Sequence, residues 1–407
     1  MEKLLNLRNS KFVFGLLIAS YWVACAPKTF SKDPTVDKCQ NFAEACISSG
    51  GKDWFDYSKT ANGGLVDILF VDDNSGSMSF EQAHMADRFS SFLSQLDGRS
   101  IDYRIGIITS DVSTAAARSI YPDSANFWTT NNDARTINQN GSLQDGNLVP
   151  FNGAGSFVTS TTPNKEQLFA NTIKRPETTQ CENFLRQYPN SQPPAQGIID
   201  NCPSGDERGI FAANLFFDKN PSSFIRPNAH LAVVFLSDED ERSNYQLYAT
   251  DPGFALSAYD QPETLLNKIT SAYSGKTASF HAIIVKDAAC AAIQSQQLGP
   301  NGTYGTTFNS VAGSIGYKYG DARRLTNGIL GDICANDYGS QLANISANIV
   351  DRITDITLAC ANPGDLTVTL APPLNTITWT VSGSTLHFSQ SLPPGTQVHV
   401  RYSCSTL

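Results

Sequence analysis

The sequence predicts an α/β fold built on a doubly wound, mostly parallel sheet, with a long insert and a small C-terminal β appendage. Apolar runs of strand length recur at residues 65–71, 103–109, 231–236 and 278–285. Segments with helical periodicity separate these runs, and this alternation is typical of parallel sheets that carry helices on both faces. The chain has 407 residues, of which 41% are hydrophobic, so it is long enough to bury a large core.

The elements follow one another in a regular order. The first run is almost continuously apolar, as expected for a strand that is covered on both faces. A polar turn comes next, and then Met85, Phe89 and Phe92 recur at spacings of three and four, which predicts an amphipathic helix that ends near Gly98. Further helices are predicted at about 164–174, 207–218, 261–274 and 338–356.

Three segments flank or interrupt this pattern. Residues 25–63 are polar and without sustained periodicity, which predicts a tether that carries one small disulfide loop. The α/β domain spans 64–358 and contains an insert at about 111–204, which is too long for a simple connection. Residues 359–407 alternate with period two and predict three or four strands in a small module closed by a disulfide.

Residues 1–24 have the pattern of an export signal, in which basic residues precede an apolar run too short to span a bilayer. The tetrapeptide Trp-Val-Ala-Cys at 22–25 resembles a bacterial lipobox, although Trp22 stands where leucine is usual. The resemblance implies that Cys25 is lipidated. Because alanine rather than aspartate follows Cys25, it also implies sorting to the outer membrane, on its surface or its periplasmic face. Ordinary cleavage near this point is the alternative.

The cysteines also indicate export. Eight remain when Cys25 is set aside, and an even number suits an oxidising compartment. Proximity in the sequence is the only basis for pairing them. It predicts disulfides between Cys39 and Cys46, Cys181 and Cys202, Cys290 and Cys334, and Cys360 and Cys404.

The composition argues against several functional classes. Acidic residues outnumber basic ones by 38 to 29, and a net charge of -9 does not suit a nucleic-acid partner. The five histidines are scattered, and no cysteine pair has zinc-site spacing, so any metal must be held by oxygen ligands. The common hydrolase, phosphate-loop and zinc-protease motifs are absent, and we therefore expect no enzymatic activity.

One motif carries candidate metal chemistry. Asp73, Ser75 and Ser77 form Asp-x-Ser-x-Ser between the first predicted strand and the first predicted helix. Loops at the carboxyl edge of open α/β sheets converge on ligands. A carboxylate and two hydroxyls suit a hard cation such as Mg²⁺, which prefers oxygen ligands. The alternative is structural: Ser75 or Ser77 merely caps the helix.

The sequence Asp-Asn-Ser-Gly-Ser-Met at 73–78, with the later strand end Leu-Ala-Val-Val-Phe-Leu-Ser-Asp at 231–238, resembles the von Willebrand factor A domain and its metal-ion-dependent adhesion site. The resemblance covers residues 64–358. It implies a bound divalent cation, with Mg²⁺ favoured and Mn²⁺ or Ca²⁺ as alternatives. The residues that the resemblance assigns as ligands are Asp73, Ser75, Ser77 and Asp238.

The chain departs from the family at one ligand. The family's threonine would fall in the loop 204–209, which reads Ser-Gly-Asp-Glu-Arg-Gly. Asp206, Glu207 or water would have to take its place, and a carboxylate there would make the site more tolerant of Ca²⁺ or Mn²⁺. The acidic run 238–241 is either a site for a second cation or a solvated loop.

The family resemblance implies an adhesion or protein-binding lipoprotein of the cell envelope. The cation would bind an exposed Asp or Glu of a protein ligand, and the lipid anchor would be the only membrane contact. The insert begins where the second strand ends, so we expect it beside the cation. The alternative is an envelope assembly or structural component in which the metal is internal and the β appendage makes the contacts. A metal-dependent hydrolase is a third and weaker alternative.

Overall fold

The computed structural model of the chain describes residues 46–61, 64–112, 143, 145–188, 193–203, 208–219, 223–243, 246–247, 258–273, 276–297, 314–393 and 395–405. The predicted signal peptide, Cys25, Cys39, Asp206 and Glu207 lie outside these residues. Among the described helices, none has the length and apolar character that crossing a membrane requires.

The described strands are β1 (Cys46–Ser49), β2 (Lys52–Thr60), β3 (Leu65–Asp72), β4 (Asp102–Thr109), β5 (Val158–Thr159), β6 (His230–Ser237), β7 (Arg242–Ser243), β8 (Gln246–Leu247), β9 (Ala278–Ile284), β10 (Leu330–Asp332), β11 (Ile356–Thr357), β12 (Gly364–Ala371), β13 (Trp379–Ser382), β14 (Thr385–Phe388) and β15 (Gln397–Ser405). The described α-helices are α1 (Ser79–Gly98), α2 (Lys165–Ile173), α3 (Pro176–Leu185), α4 (Ala195–Asn201), α5 (Gly209–Asp218), α6 (Pro262–Ala272), α7 (Ala288–Gln297), α8 (Tyr317–Leu325) and α9 (Tyr338–Thr354).

A six-stranded mixed sheet with the order β10-β9-β6-β3-β4-β5 forms the centre of the α/β domain. The pairs from β10 to β4 are parallel, and only β5 runs antiparallel to its neighbour. The predicted α/β class is confirmed, and the four predicted strands of this domain correspond to β3, β4, β6 and β9. Sequence analysis did not predict β10, α7 or α8.

Helices cover both faces of the sheet, and successive residues of β3 point to opposite faces. Phe70 belongs to the core under α1, α2 and α9, where its ring centroid lies 6.0 Å from that of Phe89. Leu69 belongs to the core under α5, α6 and α8, together with Phe211 and Tyr319. Each fully buried side chain of this size contributes about 2 kcal/mol. The two apolar layers hold β3, and hence the loop after it, in place.

The C-terminal β appendage includes strands from the amino-terminal flank of the α/β domain. Strand β2 pairs antiparallel with β15 along its whole length, in a sheet of order β1-β2-β15-β12. Phe55 of β2 is 0% exposed and stacks on Tyr402 of β15 with 5.0 Å between ring centroids. The prediction of a tether over 25–63 is therefore wrong for residues 46–60. We call residues 46–61 together with 356–405 the β module.

Three of the predicted disulfides are present in the structure: Cys181 with Cys202, Cys290 with Cys334, and Cys360 with Cys404. Cys46 is also disulfide-bonded, and its predicted partner Cys39 lies outside the described residues. The bond between Cys360 and Cys404 links the segment before β12 to β15. It therefore reduces the conformational freedom of the C-terminal part of the β module in the unfolded chain.

Replacing Phe55 with alanine tests whether β2 is part of the folded β module rather than a tether. Phe55→Ala should lower the free energy of unfolding of the β module by about 3–5 kcal/mol, because it removes a fully buried ring. Ile47→Ala on β1 is the matched control, since Ile47 is 68% exposed and should change stability by less than about 0.5 kcal/mol. Urea denaturation followed by near-UV circular dichroism measures both. Equal effects of the two substitutions would show that β2 is a tether after all.

Candidate metal site

The two acidic segments singled out in the sequence meet at the carboxyl edge of the central sheet. Strands β3 and β6 are parallel neighbours, with Asp72 opposite Leu236. The Asp73 amide donates a hydrogen bond of 3.0 Å to the Leu236 carbonyl, which extends the pairing by one residue. Asp73 and Asp238 therefore leave adjacent strands at the same level, although 165 positions of sequence numbering separate them.

Asp73 organises the loop between β3 and α1. Its Oδ1 accepts a hydrogen bond from the Ser75 amide (2.9 Å) and its Oδ2 accepts one from the Ser237 hydroxyl (2.7 Å). The Ser75 and Ser77 hydroxyl oxygens lie 3.0 Å apart, and both residues are half-buried. The N-cap of α1 is Met78, without a side-chain cap hydrogen bond. Neither serine is the N-cap residue of α1, which argues against the alternative in which they merely cap the helix.

Asp238 is the least satisfied group at this edge. Its side chain is 0% exposed, and neither carboxylate oxygen has a hydrogen-bond partner among the described residues. Burial, followed by the charges of Asp73 and Glu239, raises the pKa of Asp238 well above its ordinary range. The Ser77 side chain lowers the pKa of Asp238, but its hydroxyl makes no hydrogen bond of ordinary geometry to either carboxylate oxygen.

Other carboxylates strengthen the negative potential. Burial and then the charge of Glu239 raise the pKa of Asp73 to about 6. Burial also raises the pKa of Glu81 to about 7, and Glu81 Oε2 has no hydrogen-bond partner among the described residues. The nearby guanidinium of Arg175 already pairs with Glu177 at 2.7 Å. A buried charge is costly without a partner, and a divalent cation would supply one.

The insert supports this loop from the side. Gln82 Nε2 donates to Asp72 Oδ2 (3.1 Å) and to the Asp73 carbonyl (3.0 Å), and Gln82 Oε1 accepts from the Arg175 amide (3.0 Å). Thr178 on α3 donates its hydroxyl hydrogen to the Asn74 carbonyl at 2.8 Å. The insert thus packs against the candidate site, and its helix α3 holds the loop after β3.

Sequence analysis missed Glu81 and Gln82. Both are on α1, four residues before Met85 and Ala86 respectively, so they share the apolar face of that helix. Polar side chains on a buried helical face need polar partners. Polar residues on the apolar face of the predicted helix could therefore have identified Glu81 and Gln82 as part of the site.

The acidic run 238–241 divides into separate roles. Asp240 Oδ1 accepts a hydrogen bond from the Lys318 amide at 2.8 Å. Glu241 accepts from the Ile210 and Phe211 amides at 2.8 and 2.9 Å, so it satisfies the first turn of α5. Backbone amides therefore occupy both oxygens of Glu241, which argues against this residue as a ligand of a second cation, whereas Asp240 Oδ2 has no hydrogen-bond partner among the described residues.

The structure brings four of the predicted site residues, Asp73, Ser75, Ser77 and Asp238, to one edge of the sheet. Their donor set consists of oxygens and includes a buried carboxylate without a partner in the described part of the chain, which fits a hard divalent cation. Asp206 and Glu207 lie outside the described residues, so the replacement of the family's threonine stays a prediction. Arg208, the next residue, donates its amide to the Ser110 carbonyl at the same edge (3.1 Å).

No protein-family model and no curated protein matches this chain. Solved structures similar to it include the pilus adhesin SpaC from Lactobacillus rhamnosus GG, with 12% identity, a TM-score of 0.29, and coverage of 88% of this chain and 42% of that one. A von Willebrand factor type A protein from Catenulispora acidiphila has 12% identity, a TM-score of 0.29, and coverage of 88% and 67%. The adhesive tip pilin GBS104 from Group B Streptococcus agalactiae has 10% identity, a TM-score of 0.27, and coverage of 89% and 85%.

This chain therefore spans less than half the length of SpaC. TM-scores near 0.3 are too low to support an argument about function, so the site's own residues must do so.

Two isosteric substitutions in the acidic run should have different effects in metal-free buffer. Asp238→Asn should leave the free energy of unfolding unchanged or higher, because it removes a buried carboxylate that is repelled by its neighbours. Glu241→Gln should lower it by about 1–3 kcal/mol, because an amide NH2 group replaces one of the two oxygens that accept from the first turn of α5. Chemical denaturation in EDTA measures both, and an equal loss in the two variants would mean that Asp238 has a hidden partner.

Proposed function

We propose that this chain binds a divalent cation, with Mg²⁺ favoured, and uses it to hold a carboxylate of a protein ligand. Asp73, Ser75, Ser77 and Asp238 would hold the cation. The observation that carries the proposal is the Asp238 carboxylate beside the Asp73 loop, which is fully buried and has no hydrogen-bond partner for either oxygen among the residues that the structure describes. The resemblance of these residues to a metal-ion-dependent adhesion site supports the same ligand set.

A carboxylate is the favoured ligand chemistry because two of the four proposed metal ligands are neutral hydroxyls. A cation held partly by neutral oxygens retains positive charge and, when bound, would offer a coordination position to an incoming anionic oxygen. Ser75 and Ser77 are half-buried, so this side of the site is accessible. Phe80, in the first turn of α1, is 52% exposed beside them and provides an apolar contact for a protein surface.

We further propose that the protein is exported and anchored by lipid at Cys25, on the outer membrane. The pattern of residues 1–25 and the disulfides of the structure support export, since such bonds persist in oxidising compartments. In this proposal the chain is an adhesion or protein-binding protein of the cell envelope and has no enzymatic role.

The alternative is an envelope assembly component whose contacts are made by the β module. The observation that favours it is that the module exposes large apolar side chains, Ile47 at 68% and Trp379 at 38%. The two proposals differ in the effect of Asp73→Ala. On the first, Asp73→Ala abolishes partner binding and leaves the metal-free fold intact. On the second, the metal is internal, so Asp73→Ala destabilises the protein, and partner binding follows changes at Ile47 and Trp379.

Calorimetric titration of the chain from residue 26 onward with Mg²⁺, Mn²⁺ and Ca²⁺ tests the metal site. A cation at 100 times its Kd should raise the free energy of unfolding by about 2.7 kcal/mol. Asp73→Ala and the double variant Ser75→Ala/Ser77→Ala should lose both the heat of binding and this stabilisation. Ser94→Ala, at an exposed position of the same helix, is the control and should behave as wild type. Absence of binding to all three cations in the wild type would overturn the proposal.

The proposed binding of a ligand carboxylate is tested with Mn²⁺ as the bound cation, by measuring how strongly the metal relaxes water protons. Glutarate, a small dicarboxylate, should displace metal-bound water and lower the relaxation enhancement in the wild type. If Mn²⁺ binds but millimolar glutarate leaves the relaxation enhancement unchanged, the metal is internal and closed to ligands. That result would favour the envelope assembly alternative.

A further inference from the structure

A cavity of about 380 Å³ lies between the α/β domain and the β module. It is at the amino edge of the central sheet, where β3 and β6 begin, and hence at the opposite edge from the candidate metal site. Its walls come from these strand ends, from the last turn of α9 and from β2 and β15 of the β module. The volume is at the lower end of the range of small-molecule sites, about 300–1,000 Å³.

The charged side chains of the walls are mostly basic. Lys59 of β2, Lys276 before β9 and Arg352 of α9 line the cavity, against one carboxylate, Asp355. Asp355 is already engaged, because its Oδ2 lies 2.6 Å from His387 Nδ1 and its Oδ1 lies 3.9 Å from a guanidinium nitrogen of Arg99. In a chain of net charge -9, this concentration of positive charge needs an explanation.

None of the three cations forms a salt bridge with a described residue. Lys276 donates to the carbonyl oxygens of Arg226 and Ala229, the latter at 3.0 Å. Arg352 donates a hydrogen bond from Nε to a side-chain oxygen and two from Nη2 to backbone carbonyl oxygens. Its Nη1 makes no hydrogen bond among the described residues. Burial lowers the pKa of both groups, and for Lys276 it outweighs the opposing charge of Asp67, as expected for cations that have lost water.

Neutral polar groups complete the lining. The hydroxyl-bearing Thr60, Thr277 and Thr354 are on the wall, and His230 is held at Nδ1 by the Thr277 hydroxyl at 2.7 Å. Burial lowers the pKa of His230 to about 3, so this ring adds no charge at neutral pH. The charge of the cavity therefore comes from two lysines and one arginine, because the three hydroxyls already pair with groups of the protein.

We propose that this cavity binds a small organic or inorganic polyanion through its carboxylate or phosphate oxygens. Lys59, Lys276 and the free Nη1 of Arg352 provide the charge-assisted hydrogen bonds, which are the strong class for such oxygens. The site is separate from the candidate metal site in position and in charge. Because its walls come from both the α/β domain and the β module, the ligand bridges the two.

Isothermal titration of the chain from residue 26 onward, in EDTA at low salt, tests the proposal with citrate and with inorganic phosphate as separate probes. The wild type should bind at least one of them, and the stronger one identifies the oxygen type. Lys59→Gln should weaken that binding about tenfold, the value expected for loss of one charge-assisted contact. Lys59 is exposed, and its side chain has no hydrogen bond or salt bridge with a described residue, so this variant should fold normally.

Lys52→Gln is the matched control, on the same strand but paired with Asp365 at 2.8 Å and not part of the cavity wall. It should bind the anion as wild type does. Equal weakening by Lys52→Gln and Lys59→Gln would show attraction to surface charge in general and would overturn the proposal. Failure of both probes to bind the wild type at millimolar concentration would also overturn it, whatever the result of the Mg²⁺ titration.

Discussion

The parallel pairing of β3 with β6 is the constraint on which the rest of the structure depends. It places the ends of two strands from distant parts of the sequence side by side, and each strand ends in carboxylates. The two apolar cores hold this pairing, with Phe70 and Leu69 anchoring β3 from opposite faces. Hydrophobic packing thus sustains a concentration of buried negative charge that the carboxylates alone would oppose.

The candidate metal site and the basic cavity lie at opposite edges of the same sheet. Helix α1 begins directly after the candidate metal ligands, and its C-cap residue Arg99 donates to the Phe388 carbonyl of the β module at 2.7 Å. Helix α9 packs beside it and ends at the cavity with Arg352. The acidic edge and the basic edge are thereby separated by a full strand length of packed core, so the charge of each site is set by its own neighbours.

The parts of the fold that sequence reasoning predicted are those with local signals. Continuous apolar runs identified β3, β4, β6 and β9, and the spacing of Met85, Phe89 and Phe92 identified α1. Strand β2 was missed because its partner, β15, is at the other end of the chain, and the burial of Phe55 becomes visible only when that pairing is known. The motif around Asp73 placed the candidate ligands, whereas Gln82 and Thr178 support the loop through contacts that no spacing encodes.

The acidic run after β6 shows why residue type alone does not assign a ligand. Four consecutive carboxylates leave the strand in different directions, and each meets a different environment. Glu241 reaches the amides of α5 and Asp240 reaches the Lys318 amide, so backbone dipoles offset part of the cost of burying these two carboxylates. Asp238, nearest the strand, meets other acidic groups and a serine hydroxyl among the described residues. Of the four carboxylates, it is the one with no hydrogen-bond partner for either oxygen within the described ranges, which is why we propose it as a cation ligand.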